Sequence, residues 1–403
     1  LTVDMTRENT AVAELSVADR YNVIDVDSHV TEPPDLWTSR LPRHWGKSIP
    51  HVVTDPATGR ERWFIGDTKL AAVASTAFAG WREFPPAHPP TLAEADPAAW
   101  NAPDRLVRMD EYGLQTQLLY PNLLGFNAHI LLTMEETQLA LECVQAYNDF
   151  LVDFSSISPH RLVPLMMLPY WDMTATLEEM SRAKDIGHKG IVFGADFSAI
   201  GLPGLLDEYW SPLYAQAQDL GLSLNFHIGI SARTVEGMRA FQRHVISDKV
   251  TFAKESALMM IGNASSIADV TLGGVCERYP ELKFVSVESG TSWLPFVLDS
   301  LDWQWLNSGG HDAFPDRLLP SEYFRRQIFG SFWFETTMLK QALELFPDNF
   351  MFETDFPHPT SLSPGPASYA DQPREVLERL SSLDHTLLGN VLHDNAARVY
   401  GLD

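Results

Sequence analysis

An α/β fold, a (β/α)₈ TIM barrel distorted by insertions, is predicted from three features of the 403-residue sequence. Eight short β-rich runs alternate with helical patterns. Most of the runs are apolar throughout, as parallel strands are when both of their faces are covered. Histidines and carboxylates gather at the C-terminal ends of the runs, the edge on which barrel enzymes build their sites. An open doubly wound sheet shares the local pattern, but the number of strands favours the barrel. The stretch SHVTEPPDLW after the first run also lacks the glycines of a dinucleotide-binding turn.

The predicted strands, in order, are residues 22–29 (NVIDVDSH), 116–120 (TQLLY), 162–168 (LVPLMML), 190–194 (GIVFG), 222–227 (LSLNFH), 283–288 (KFVSVE), 332–336 (FWFET) and 350–355 (FMFETD). Between them, 135–155 carries apolar residues at helical spacing, and 175–186 and 210–220 end at Gly187 and Gly221, which suit helix C-termini. A helix over 339–346 is stopped by Pro347. Residues 1–21 read as an N-terminal arm, and 22–403 as the barrel. Two intervals exceed a bare barrel. Residues 31–108, after the first strand, hold a hairpin turning at 57–60, and residues 228–282, after the fifth, read as helix. Both leave C-terminal strand ends and should lie over the mouth, as should the loop 361–373.

Composition narrows the function classes. Asp and Glu number 53 against 29 Lys and Arg, a net charge of -24. Such a surface repels phosphate backbones and anionic lipid, so neither nucleic acid nor membrane is an expected partner. A small-molecule substrate is expected instead. Cys143 and Cys276 fall in helical stretches without metal or disulfide spacing, which predicts buried thiols and a cytoplasmic setting. No apolar run reaches the roughly 18 residues of a membrane span, and the N-terminus does not resemble a signal peptide.

The chemistry sits at the strand ends. In the first strand, alternation predicts Asp25, Asp27 and His29 on one face, the last two nearest the mouth. Inward polar groups at that spacing are costly unless something binds them. The fifth strand ends at His227, the sixth at Glu288, and the eighth at Asp355, followed by Phe356-Pro357-His358. Two histidines with carboxylates suit a divalent metal: Zn²⁺, Mn²⁺ or Fe²⁺, with the second carboxylate favouring the harder Mn²⁺.

These segments, V-I-D-V-D-S-H-V-x-E-P, the fifth-strand histidine, E-S-G-x-x-W-x-P-F and E-T-D-F-P-H-P, together resemble the amidohydrolase superfamily. More narrowly they are similar to its amidohydrolase-related branch, typified by aminocarboxymuconate-semialdehyde decarboxylase. RLVRMDEYGLQTQLLYP, AYNDFLVDF and the closing GNVLHDNAARVYGL extend the likeness from Val23 to Leu402. The resemblance implies one divalent metal held by Asp27, His29, His227 and Asp355, and either hydrolysis or non-oxidative decarboxylation. Two positions depart from the pattern. Asp27 replaces the commoner first histidine, as it does in aromatic-acid decarboxylases of the branch. Glu288 stands where those decarboxylases carry a histidine. No lysine fits the bridge of two-metal relatives, since Lys189 starts the fourth strand, away from the mouth.

The first expectation is therefore a metal-dependent hydrolase, in which Asp355 moves the proton of an activated water and Glu288 orients water or serves as a second acid/base. The alternative is a metal-dependent decarboxylase of an aromatic or unsaturated acid. A non-catalytic metal-binding barrel is the remote third. His358 is an outer partner of the site. Trp63, Phe64, Trp81, Phe84, Trp293, Trp303 and Trp305 suggest walls for a flat or apolar substrate. Arg233 suits either a carboxylate clamp or a surface ion pair. A homodimer is compatible with the N-terminal arm.

Overall fold

Eight parallel strands close into a barrel in the computed structural model, which describes residues 15–126, 128–228 and 247–402. One sheet has the order β1 (Ile24–His29), β5 (Thr116–Tyr120), β6 (Leu162–Pro164). The other runs β11 (Phe350–Phe352), β10 (Ile328–Phe332), β9 (Phe284–Val287), β8 (Ser223–His227), β7 (Gly190–Gly194). Parallel bridges join them at both edges, Met166 to Ile191 and Ser28 to Phe356. The second seam is tied by the Asp355 amide donating to the Asp27 carbonyl at 2.9 Å.

Two apolar clusters follow from the strand alternation. Ile24, Val26, Leu118, Val163, Leu165, Val192, Val285, Val287 and Met351 pack together inside the barrel. Leu119, Phe193, Phe226, Phe284 and Phe352 instead join helix residues such as Tyr147, Leu213 and Leu294 in the outer layer. Tyr400, at the end of the helix Asn395–Tyr400, reaches the inner cluster and donates to Asn225 Oδ1 at 2.7 Å.

β1 departs from simple alternation. Asp25 pairs with Gln117 and Ser28 with Leu119, so Val26 and Asp27 together oppose the single residue Leu118. Such a bulge re-aims one side chain. It corrects the expected shared face of Asp25, Asp27 and His29. Asp25 lies on the outer side, bonded to Gln117 Nε2 (2.8 Å), Thr354 Oγ1 (2.6 Å) and the Thr354 amide (2.9 Å). Arg105 locks the same region: its guanidinium is fully buried, donating to the His29 and Ala98 carbonyls, and stacks 4.6 Å over Phe356.

Three further expectations are refined. The seventh barrel strand is Ile328–Phe332, not 332–336, and shares only Phe332 with the aromatic run. Gly330 belongs in it because a Cβ there would meet Leu294 and Phe350 at 3.3 Å. The first insertion holds a three-stranded antiparallel sheet, β2 (His51–Thr54), β3 (Glu61–Ile65) and β4 (Thr68–Ala72), rather than a lone hairpin. The second insertion is helical over Asp248–Met259, Ala264–Leu272 and Val275–Arg278. Cys143 and Cys276 are buried free thiols on helices. Among the described residues, no helix is long and apolar enough to cross a membrane.

Candidate metal centre and active site

The C-terminal ends of β1, β8, β9 and β11 bring Asp27, His29, His227, Glu288 and Asp355 together. His29 Nε2 lies 3.3 Å from Asp27 Oδ1 and 3.5 Å from Asp355 Oδ1. His227 Nε2 lies 3.7 Å from Asp27 Oδ2 and 3.4 Å from Glu288 Oε2. Potential ligand atoms of Asp27, His29 and His227 all fall within 4.8 Å of one another, as do those of Asp27, Glu288 and Asp355, and those of His29, Asp355 and His358.

The hydrogen bonds around His29 test whether a cation fits. Its Nδ1 lies 2.9 Å from the Pro121 carbonyl, which only accepts, so Nδ1 carries the proton. Burial holds the imidazole well below its ordinary pKa, hence neutral. Its Nε2 lone pair therefore faces two carboxylate oxygens. Both Asp27 oxygens are buried without a hydrogen-bond donor among the described residues. Acceptors converging on one point, with the outer imidazole nitrogen fixed by a carbonyl, is the arrangement of a metal-ligating histidine. The donor set therefore fits a divalent cation.

Electrostatics agree. Burial, then the neighbouring Glu353, Asp355, Glu288 and Asp25, push Asp27 well above the usual carboxylate range. Burial and Asp355 do the same to Glu288, and burial chiefly raises Asp355. His227 is held neutral by burial. The cluster is a buried group of carboxyls whose oxygens meet no Lys or Arg side chain among the described residues. Glu288 and Asp355 also take left-handed backbone conformations, with φ of 53° and 56°. For non-glycine residues this costs about 1–3 kcal/mol each, a strain that concentrates at functional sites.

A second row of residues sets Asp355. His358 stacks on His29 with centroids 3.7 Å apart, its Nδ1 2.8 Å from Asp355 Oδ1 and its Nε2 2.7 Å from Asn122 Oδ1. Asn122 Nδ2 donates to the Val30 carbonyl at 2.9 Å, which turns its Oδ1 towards His358. His358 Nε2 must then be the donor. Burial lowers the His358 pKa to about 4, so the ring is neutral and Nδ1 faces Asp355 as an acceptor. Between these two groups the carboxyl is the one placed to donate, while the hydrogen bond between Asp355 and Glu288 raises Glu288 and lowers Asp355. Thr360 Oγ1 donates to Asp355 Oδ2 at 2.6 Å and lies 3.3 Å from Glu288 Oε1. Glu32 Oε1 accepts the Asn122 and Leu123 amides at 2.8 and 2.9 Å.

Sequence reasoning passed over Thr360, Asn122, Glu32 and Arg105. Glu32 and Thr360 were open to it, since they stand in or beside the motifs V-x-E-P and D-F-P-H-P. Asn122 carries no such signal.

Beside the metal cluster lies a cavity of about 760 Å³, lined by Phe84, Phe252, Met260, Ile261, Trp293 and Phe334 among others, and by Thr360. Of the proposed substrate walls, the structure brings Phe84 and Trp293 to this cavity. Trp293 is fixed by its Nε1 donating to the Ser289 carbonyl at 2.7 Å. Trp63 is instead buried edge-on to Trp37 in the first insertion, at a separate void of about 40 Å³ beside Glu32 and Asn122. Phe64 stands next to it on β3, and Trp81 is covered by the Arg82 guanidinium at 4.1 Å. Trp303 is exposed on the helix Leu294–Asn307, and Trp305 stacks on Phe314. Arg233 lies outside the described residues.

A parallel barrel with histidines and carboxylates gathered at its C-terminal mouth is the architecture of a metal-dependent barrel enzyme. The amidohydrolase family model matches residues 24–402, and the chain belongs to that family, an enzyme superfamily that uses a divalent metal. Solved structures agree on the fold. An amidohydrolase from Mycobacterium avium subsp. paratuberculosis K-10 is similar with a TM-score of 0.72 and 21% identity, over 95% of this chain and 98% of that one. 5-Carboxyvanillate decarboxylase from Sphingomonas paucimobilis gives 0.64 and 20%, over 95% and 99%. A dihydroxybenzoic acid decarboxylase from Polaromonas sp. JS666, solved with manganese and 2-nitroresorcinol, gives 0.62 and 18%, over 95% and 97%.

Proposed function

We propose that the protein is a metal-dependent, non-oxidative decarboxylase of an aromatic or unsaturated acid. The observation that carries this reading is the placement of Asp355: a buried carboxyl 2.8 Å from His358 Nδ1, beside the candidate ligands and, through Thr360, an apolar cavity. Two of the similar structures named above being decarboxylases, one with manganese, supports it. The expectation of hydrolysis thereby becomes the second reading.

Asp27, His29, His227 and Asp355 are the residues that would hold the cation. When bound, it would supply a positive charge to hold and orient the substrate's anionic oxygens. Asp355 delivers its proton to the carbon bearing the carboxylate. The carbon–carbon bond then breaks, CO₂ leaves, and the bonding pair returns to the ring system as the carbon keeps the new hydrogen. His358, held by Asn122, keeps the Asp355 carboxyl aimed, and Thr360 steadies its other oxygen. The apolar walls exclude water from the protonated intermediate. A positioned acid of this kind contributes about 10²–10⁴-fold.

Glu288 favours the second reading. A carboxylate at 3.4 Å from His227 is placed to orient a water for hydrolysis. Incubating manganese-loaded protein with a panel of ortho-hydroxy aryl acids and aryl esters, amides and lactones in D₂O and H₂¹⁸O separates the two. Decarboxylation releases CO₂ and leaves one deuterium on the vacated carbon, and Asp355→Asn abolishes it. Turnover confined to the esters, amides or lactones, with ¹⁸O in the product acid and no CO₂, overturns the decarboxylase reading.

A further inference from the structure

The 760 Å³ cavity is far larger than a single-ring acid requires, falling within the range of roughly 300–1,000 Å³ that drug-sized ligands occupy. Its inner end is marked by Thr360, which bonds Asp355 and lies beside Glu288. Its walls come from three places: Phe84 of the first insertion, Phe252, Met260 and Ile261 of the second, and Trp293 with Phe334 beyond β9 and β10.

Among the described residues, the ionisable side chains that line it are Glu335 and Lys249. Glu335 is engaged by backbone, accepting the Thr291 amide at 3.0 Å and the Ser292 amide at 2.7 Å. Lys249 is exposed, with its ammonium 5.7 Å from the ring centre of half-exposed Phe84, which sets it at the outer rim. Among the described residues, no carboxylate lies within ion-pair distance of Lys249. The cavity thus has an acid/base end, an apolar barrel of aromatic and aliphatic side chains, and a cation at the far edge.

We propose that the substrate is an elongated acid of two rings or equivalent length, its reacting carboxylate at Thr360 and a second anionic group at Lys249. This rests on the decarboxylase reading and adds the shape and second charge of its substrate. Lys249 is then a specificity-determining residue. Its attraction acts across a solvent-exposed rim, so it is modest and fades with salt.

The test is calorimetric titration of manganese-loaded and metal-free protein with three probes: salicylate, its biphenyl analogue, and that biphenyl bearing a carboxylate on the far ring. Burial of the second ring should tighten binding by roughly tenfold or more over salicylate. The far carboxylate should add about two- to fivefold at low ionic strength, a gain lost in 1 M salt and in Lys249→Met but kept in Lys249→Arg. Ala257→Trp, which fills the apolar section, should erase the advantage of the second ring. Metal-independent binding of salicylate would overturn the decarboxylase reading and this inference with it. Metal-dependent salicylate binding with no gain from the second ring would overturn the inference alone. A gain from the far carboxylate that survives in Lys249→Met would overturn the role of Lys249.

Discussion

Replacing Asp27 by Asn should strengthen the metal-free fold while removing its response to metal. In the metal-free protein both Asp27 oxygens are buried without a donor among the described residues, close to His29, His227 and the carboxyls of Glu288, Glu353 and Asp355. Burial first, and those carboxyls second, raise its pKa well above the ordinary value. A carboxyl raised in the folded state stabilises most below its unfolded pKa of about 3.9, and that contribution is lost as pH rises through the folded value. At pH 8 the buried carboxyl therefore opposes folding, and its removal should return about 1–3 kcal/mol, the penalty of a buried unsatisfied polar group. The gain should shrink as pH falls and vanish below about pH 3, where Asp27 is protonated in both states. Metal acts in the opposite sense. Manganese at about a thousand times its Kd adds about 4 kcal/mol to the wild-type protein, or about 8 °C at roughly 2 °C per kcal/mol. Differential scanning fluorimetry across pH, with and without Mn²⁺, reads both effects. A D27N protein that keeps the full manganese shift, or that is less stable than wild type without metal at pH 8, would refute the ligand assignment or the electrostatics respectively.

The remaining predictions concern the supporting residues. Metal loading should release protons and its affinity should rise with pH, because Asp27 is raised and must give up its proton to bind; titration calorimetry in two buffers of different ionisation enthalpy reads the count. Glu32 is pushed up to about 7 by burial, so stability should fall by roughly 3 kcal/mol between pH 4.5 and 8 on its account; Glu32→Gln keeps an oxygen for the Asn122 and Leu123 amides, and should flatten that part of the urea-denaturation profile. Arg105→Met strips donors from the His29 and Ala98 carbonyls and from Gln117, and should cost about 3–5 kcal/mol by denaturant titration. Asn122→Leu removes the acceptor that fixes the His358 tautomer, and should lower turnover more than metal content, as judged by elemental analysis beside activity.

How far the sequence reveals this molecule depends on which forces act locally. The barrel strands were legible where both faces are apolar, as in GIVFG at Gly190–Gly194, which the structure reproduces residue for residue. The seventh strand was not, because its Gly330 and Ser331 depress strand propensity while the neighbouring Trp333 and Phe334 raise it. Trp333 is spent instead on a bond from its Nε1 to the Thr360 carbonyl at 3.0 Å. The five metal-site candidates were legible as residue types at strand ends. Their facing was not: a period of two puts Asp25 beside Asp27, and only the pairing with β5 reveals the extra residue that separates them. Asn122 lay beyond reach for another reason. Its role arises from a contact with His358, distant in sequence, and nothing in its own neighbours announces it.

The bulge and the strained strand ends act together. Without the extra residue in β1, strict alternation would send both Asp27 and His29 to the outer layer with Asp25. Beyond the ends of β9 and β11, Glu288 and Asp355 take left-handed backbone conformations, at φ of 53° and 56°, which bend the chain just past the barrel rim. Three independent departures from regular geometry thus serve one result: carboxyls on three strands aimed at the same few ångströms between His29 and His227. In the absence of compensating positive charge, each departure would add strain and then crowd like charges in a dry space, so none would persist for the sake of the fold alone. The carboxylate at Asp27, in place of a histidine, adds to the same demand. With Glu288 it gives the site more carboxyl groups than a histidine-rich centre would hold, a donor set that harder cations favour.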